Sequence, residues 1–334
     1  MLGRVIKIFS DFYYVETEIG IVESKLRSIL KKQKKDVFVG DIVELEQLDK
    51  NSMQAFLLDV KKRLSIISRP KVANITQVII VSALKEPELN FEQLDRFIAH
   101  CVYHNIPPVL CFNKEDIIDS ELLKDKVINM YSHTGYKIVF TSALQKTGIE
   151  EIKPLLKNNI TMLCGSSGVG KSSLINAILN NANLKVGHLS EKTQKGVHTT
   201  RHCELLLVDK NSFIVDTPGF SQLKFDFLLP SEIKNLFVEF KKVDASCKYK
   251  NCLHSGEDGC SYSKIISQMP ESRYSNYLKF VSEAKLYEQK ISKVSIKKES
   301  NVKHNQNKVM TKISNKKRNK SRKTFKQNIL KEEI

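Results

Sequence analysis

The spacing of hydrophobic positions changes twice along the chain. Over residues 3–60 apolar and polar residues alternate in short runs, RVIKIF, FYYVETE, GIVESKL, DIVELEQL and MQAFLLDV, with turn residues between them. That period-two alternation predicts five strands without a helix, and hence a small β-barrel. The segment KLRSILKKQKK (25–35) between them reads as a basic loop. From about residue 72 near-continuous apolar runs, QVIIVSAL (77–84), PPVLCF (107–112), KIVF (137–140), ITMLC (160–164), CELLLV (203–208) and SFIVD (212–216), alternate with helical stretches such as FEQLDRFIAHCVYHN and SSLINAILN. Strands apolar on both faces predict a parallel sheet covered by helices on both sides. After residue 229 the alternation stops. PSEIKNLFVEF predicts a helix opened by Pro230 and Ser231, and SRYSNYLKFVSEAKLYEQK (272–290) predicts another. Residues 291–334 hold only 11 apolar residues, too few to bury a core, and are expected to be disordered unless bound. The chain thus divides into a barrel (1–68), an α/β domain (69–229), a helical unit (230–290) and a tail (291–334).

Composition narrows the class. With 41% hydrophobic and 27% charged residues the chain is globular. No apolar run approaches the roughly 18–20 residues that span a bilayer, so a soluble protein with no membrane partner is expected. The opening MLGRVIKIFSDFYYVE does not read as a signal peptide, which makes the cytoplasm the expected compartment. Seven cysteines are too few, and an odd number, for a disulfide scaffold. Cys101, Cys111, Cys164 and Cys203 fall in or beside apolar elements and read as core fillers, whereas three others crowd between 247 and 260. The charge is uneven: residues 291–334 carry 14 Lys/Arg and 3 Asp/Glu, a surplus of 11 out of the chain's net +17. A surplus of this size on a flexible segment favours a polyanion as partner.

Gly165, Ser166, Ser167, Gly168, Val169, Gly170, Lys171 and Ser172, with Ser173 following, fit G-x-x-x-x-G-K-[ST] directly after a strand and at the start of a helix. In such a loop backbone N–H groups and the helix N-terminus hold phosphate oxygens, Lys171 reaches the β- and γ-phosphates, and Ser172 supplies an oxygen to Mg²⁺. Asp216-Thr-Pro-Gly219 follows the strand SFIV, where the carboxylate that faces Mg²⁺ and the glycine that senses the γ-phosphate belong. Asn113, Lys114, Glu115 and Asp116 follow the strand PPVLCF. A carboxylate there accepts from N1–H and the exocyclic amine of guanine, a donor pair adenine lacks. Ser142 and Ala143 follow the next strand and are placed to close over the same base. All four motifs sit at the C-terminal ends of expected strands, where ligands of open parallel sheets bind.

A second constellation is Cys247-x₄-Cys252-x-His254-x₅-Cys260. Three thiolates and one imidazole in 14 residues suit one closed, tetrahedral, structural Zn²⁺.

The motif order is unusual, because the base motifs at 113 and 142 precede the phosphate motif at 165 and the switch at 216. With an N-terminal barrel and a C-terminal Cys/His cluster, this order resembles the circularly permuted GTPases, and in particular the ribosome small-subunit-dependent GTPase A family, RsgA or YjeQ, over about residues 1–290. The resemblance implies an OB-fold that binds RNA, a permuted GTPase domain and a zinc-binding domain acting late in assembly of the 30S ribosomal subunit. It also assigns Cys247, Cys252, His254 and Cys260 as the zinc ligands. It does not account for the basic tail. In Lys195-Gly-Val-His198-Thr199-Thr200-Arg201, where switch I belongs, a threonine would complete the Mg²⁺ shell, Thr200 being favoured over Thr199. Phe220 stands where a water-orienting glutamine is often found, and the resemblance nominates His198 for that role. The sequence reading is therefore a GTPase, GTP to GDP and phosphate, with Mg²⁺ and one Zn²⁺. It is expected to act as a monomer on the 30S subunit and its 16S rRNA. The alternatives are an RNA-binding module with a vestigial nucleotide site and an ATP-dependent P-loop enzyme.

Overall fold

The computed structural model describes residues 1–28, 30, 35–68, 71–118, 121–181, 203–216, 224–242, 247–249, 251–261 and 269–299. The alternating N-terminal runs form β1 (Leu2–Phe9), β2 (Phe12–Thr17), β3 (Gly20–Leu26), β4 (Ile42–Asp49) and β5 (Gln54–Val60). β1 pairs with β2, β2 with β3, β3 with β5, β5 with β4, and β4 returns to β1, so the barrel closes. Val5, Val15, Val22, Val43, Leu45 and Leu57 fill it. The segment read as a basic loop contributes to this core: Leu26 ends β3 and Leu30 is buried inside the barrel. Leu26 and Leu30 are drawn inward while Lys25 and Lys35 stay exposed.

β6 (Ile66–Ser68) and β7 (Lys71–Ala73) pair antiparallel across the boundary expected at 68/69. Arg63 fastens this hairpin to the barrel by donating to the buried Asp41 at 2.7 and 2.9 Å.

The central sheet contains β8 (Gln77–Ala83), β9 (Pro108–Asn113), β10 (Lys137–Phe140), β11 (Ile160–Cys164), β12 (Glu204–Asp209) and β13 (Ser212–Asp216), in the spatial order β10-β9-β8-β11-β13-β12. On one face Val78, Ile80, Leu110 and Phe112 pack with Leu94, Phe97 and Ile98 of α1 (Phe91–Tyr103) and with Val127, Met130 and Tyr131 of α2 (Leu122–Tyr131). On the other, Ile79, Val81, Cys111 and Leu163 pack with α3 (Ile149–Leu156) and α4 (Lys171–Asn181). Successive strand residues serve opposite faces, which is why these runs are apolar throughout. Cys101, Cys111 and Cys164 are buried in these cores, and Cys203 is half-buried against them.

The expectation of a wholly parallel sheet fails at β12, which runs antiparallel to β13. Only Lys210 and Asn211 join the two strands, and a parallel crossover needs about a dozen residues or more. β12 also pairs with β1 of the barrel, Lys7 opposite Glu204, with their side chains ion-paired at 3.2 Å. Barrel and α/β sheet are therefore continuous.

The expected single helix over 230–240 is broken into α5 (Pro230–Ile233), a 3₁₀ turn (Lys234–Leu236) and α6 (Val238–Lys242). Phe237 between them is extended, with φ −111° and ψ 122°, and its ring packs against Tyr277 and Phe280. Burial of that ring outweighs helix continuity. The final helix α7 runs from Glu271 to Glu299, taking in the first nine residues of the tail expected from 291, because ISKVSIKKE contains neither glycine nor proline to stop it. The C-terminal core, which includes Phe225, Ile233, Phe237, Tyr277 and Phe280, also takes in Ala99 of α1. Among the described residues no helix is long and apolar enough to cross a membrane.

Candidate functional site

The ends of β8, β9, β10, β11 and β13 converge on one rim of the sheet. The phosphate loop leaves β11 through Gly165 at φ 144°, where a Cβ would lie 2.0 Å from the Val81 carbonyl oxygen, so only glycine fits. A Cβ on Gly170 (φ 90°) would lie 2.4 Å from Asn113 Nδ2. Lys171 Nζ donates to the Gly165 and Ser166 carbonyls at 2.9 and 2.6 Å, which centres the ammonium inside its own loop. Burial holds its pKa below the ordinary lysine value. Ser167, Gly168, Ser172 and Ser173 face solvent, whereas Val169 is buried against Ile79 and Leu174 in the core.

Asn113 ties the base and phosphate halves of the rim together. Its Nδ2 donates to the Val169 carbonyl at 2.9 Å, and its Oδ1 accepts from Thr141 Oγ1 at 3.2 Å and Ala143 N at 3.0 Å. All of its amide functions lie between loops, so it shapes the pocket from beneath. Lys114, at φ 65°, donates to the Glu86 carbonyl. Glu115 N donates to the Thr141 carbonyl at 3.0 Å, and its carboxylate meets Lys124 at 2.5 Å. Ser142 Oγ donates to one carboxylate oxygen of half-buried Asp116 and itself accepts from Gln145 N at 3.0 Å. Asp116 is thereby aimed through one carboxylate oxygen. The backbone of Asp216 ends β13, opposite Glu204. Gly219, Phe220, His198, Thr199 and Thr200 lie outside the described residues.

Cys247, Cys252, His254 and Cys260 come together with their ligand atoms within 4.8 Å of one another. The Cys247, Cys252 and Cys260 Sγ atoms stand 3.5, 3.9 and 3.6 Å from His254 Nδ1. Zn–S bonds of about 2.3 Å and a Zn–N bond of about 2.0 Å at tetrahedral angles would separate S and N by about 3.5 Å, so the donor set fits zinc. Burial, helped by Lys234, lowers the His254 pKa, which favours the neutral imidazole a metal needs. Ser261 N donates to Cys247 Sγ and His254 N to Cys252 Sγ, both at 3.4 Å. Glu257, which the sequence reading did not single out, organises the loop. It accepts from Leu253 N, Ser255 N and Ser255 Oγ at 2.8–3.0 Å, and these bonds outweigh burial to bring its pKa to about 2. The knuckle is anchored to α7 by the Tyr274 and Tyr277 hydroxyls, which donate to the His254 and Leu253 carbonyls.

A buried polar cluster between the two regions also escaped the sequence reading. Arg273 of α7, 1% exposed, binds Asp95 of α1 and Glu239 of α6. Asp95 also accepts from Tyr131 Oη at 3.0 Å and Asn276 Nδ2 at 2.7 Å, and Glu239 meets His133 at 2.8 Å.

The phosphate-loop strand β11 lies between β8 and β13, although the base-motif strands β9 and β10 precede it in the chain. Sheet and motifs together define a circularly permuted P-loop GTPase fused to a closed barrel and a Cys₃His unit. The chain matches the RsgA GTPase family over residues 60–226 and the RsgA N-terminal domain over residues 2–54, and it belongs to the RsgA family. It is 40% identical to the small ribosomal subunit biogenesis GTPase RsgA of Caldanaerobacter subterraneus subsp. tengcongensis over 285 residues, 85% of this chain and 95% of that protein. With the protein of the same name from Clostridium botulinum it shares 37% identity over 287 residues, 85% and 97% of the two chains. The crystal structure of YjeQ from Thermotoga maritima superposes with a TM-score of 0.74 at 35% identity, covering 85% of this chain and 98% of that one. YloQ, a circularly permuted GTPase, gives 0.71 at 30% identity, covering 85% and 94%.

Proposed function

We propose that this GTPase hydrolyses GTP to GDP and phosphate in the service of small ribosomal subunit assembly in the cytoplasm, and that it binds the 30S subunit as a monomer through 16S rRNA. The observation that carries the nucleotide reading is the Asn113 bridge, which joins the NKED loop, the Thr141–Ala143 loop and the phosphate loop into one pocket. In it Asp116 accepts from guanine N1–H and the exocyclic amine, and Ser142 and Ala143 close over the base. The loop N–H groups and Lys171 hold the phosphates. Ser172, Thr200 and Asp216 hold Mg²⁺, which when bound neutralises charge on the β- and γ-phosphates. Gly219 senses the γ-phosphate and His198 orients the attacking water. Cys247, Cys252, His254 and Cys260 hold one structural Zn²⁺, leaving no position for a substrate.

The ribosomal reading rests on the names of the relatives and on three surfaces suited to an RNA-bearing partner: the barrel, the zinc unit and the basic segment after residue 290. The functional units are the barrel (1–68), the GTPase domain (69–229) and the zinc unit (230–290), with the basic segment beyond. Hydrolysis of GTP and of ATP should be measured with and without purified 30S subunits. Turnover of GTP alone, raised by orders of magnitude by the subunits, is expected. His198→Ala should keep GTP and subunit binding and lose most of the stimulated rate. Equal ATP turnover, or no response to 30S subunits, would overturn the reading.

A further inference from the structure

Helix α1 touches the phosphate loop on one side and α7 on the other. On the first side Ser166 Oγ, one residue into the phosphate loop, donates to Gln93 Oε1 at 2.8 Å. Gln93 is itself held in the first turn of α1, where its N–H donates to the side chain of the N-cap Asn90 at 3.0 Å. On the second side Glu92 accepts from Lys279 at 2.8 Å and from Arg96 at 3.0 Å. Arg96 takes both oxygens of Glu283 at 2.7 and 2.8 Å, with its guanidinium 4.4 Å from the centre of the Phe280 ring. Glu283 also accepts from Phe225 N at 3.4 Å. Phe225 is fully buried, with its ring between His100 and Phe280, and lies six residues beyond Gly219 of the switch motif.

These contacts are unlike ordinary surface pairs. Arg96 is 13% exposed and binds Glu283 in the bidentate geometry that gives charged hydrogen bonds both strength and direction. A helix of 13 residues with a closed hydrogen-bond ladder moves as a body, so a shift at Gln93 must be met at Arg96, less than one turn away. The Ser166 hydroxyl ties to α1 the loop whose N–H groups would face phosphate. We infer that Gln93 is a positioning residue for the phosphate loop, and that α1 makes nucleotide binding and the seating of α7 mutually dependent. This rests on the GTPase reading. Coupling of this kind is reciprocal, so whatever fixes α7 from outside must tighten or loosen the nucleotide by the same factor.

The test uses the full chain with GDP as probe, measuring GDP affinity and amide hydrogen exchange of α7 over residues 271–283. GDP should slow exchange in α7 of the wild-type protein. Gln93→Ala and Ser166→Ala should each weaken GDP binding by roughly three- to tenfold, the range of one hydrogen bond, and the double variant no further. In both single variants the slowing of α7 exchange by GDP should disappear while zinc content stays the same, which loss of stability alone would not produce. Glu283→Gln, outside the nucleotide pocket, should weaken GDP binding, with an effect that vanishes in the Gln93→Ala background. Wild-type GDP affinity in Gln93→Ala, independent addition of the Gln93 and Ser166 effects, or α7 exchange that ignores GDP in the wild type would overturn the inference alone. A wild-type protein that does not bind GDP would bring down the GTPase reading and this inference with it.

Discussion

The Cys₃His knuckle and the nucleotide rim are built in opposite ways. The knuckle gathers four ligand atoms from 14 consecutive residues, and turn-scale contacts centred on Glu257 shape it. The rim gathers groups from Asn113 to Asp216, and it exists only because five strand ends meet in one sheet with two packed faces. A local site spends little entropy on loop closure, and a metal held by its four ligands would add folding energy to the small core it rests on. The described polar bonds of the non-local site rest on a large apolar core. The two are joined by the buried Arg273–Asp95–Glu239 cluster and by α1.

This contrast can be broken most severely at the four metal-ligating side chains proposed for the knuckle. Cys252→Ser should abolish zinc binding, a loss of up to about 10 kcal/mol of binding energy that is also folding energy for the knuckle. Metal analysis should read no zinc, and hydrogen exchange should rise over residues 230–261 while the barrel and sheet stay protected. A variant that retains stoichiometric zinc would contradict the ligand set.

Next in size is the joint between the regions. Arg273→Met leaves Asp95 and Glu239 buried without their cation, at a cost of about 3–5 kcal/mol in urea unfolding. A change below about 1 kcal/mol would show that solvent or a rearrangement satisfies these carboxylates.

The smallest of the three effects falls within the rim. Asn113→Ala removes three hydrogen bonds among buried groups, about 2–3 kcal/mol, which should weaken GDP roughly thirty- to hundredfold while zinc content is unchanged. Unaltered affinity would mean that the two halves of the pocket hold together without the bridge.

The difference in locality also explains what was legible in the sequence. The knuckle could be read from spacing alone, since four candidate ligands in 14 residues need no knowledge of the fold. The rim could be read because each of its motifs follows an apolar strand, and parallel strands bring their C-terminal ends to the same side. Every expected strand formed, because a barrel strand alternates and a doubly covered strand does not, and the two patterns are distinct. What was hidden depends on partners distant in sequence. Arg273 sits on the stripe that continues through Tyr277, Phe280, Val281 and Ala284, so an arginine at an apolar position hinted at a buried counter-ion. Nothing local named Asp95, 178 residues away, as that partner. The antiparallel turn of β12 was hidden for a smaller reason, since an apolar run does not state its direction. The break at Phe237 followed from tertiary packing, which overrode a helical pattern.

The proposed recognition of guanine through the Asp116 carboxylate is tested most directly by base exchange. Asp116→Asn replaces an acceptor with a donor facing the guanine amine, whereas xanthine presents a carbonyl there. Hydrolysis of GTP and xanthosine triphosphate should be measured for both proteins over a range of nucleotide concentrations. The wild type is expected to prefer GTP, and Asp116→Asn to lose GTP affinity by about 2–3 kcal/mol while gaining xanthosine triphosphate. Equal GTP affinity in the two proteins, with no gain for xanthosine triphosphate, would contradict the assignment.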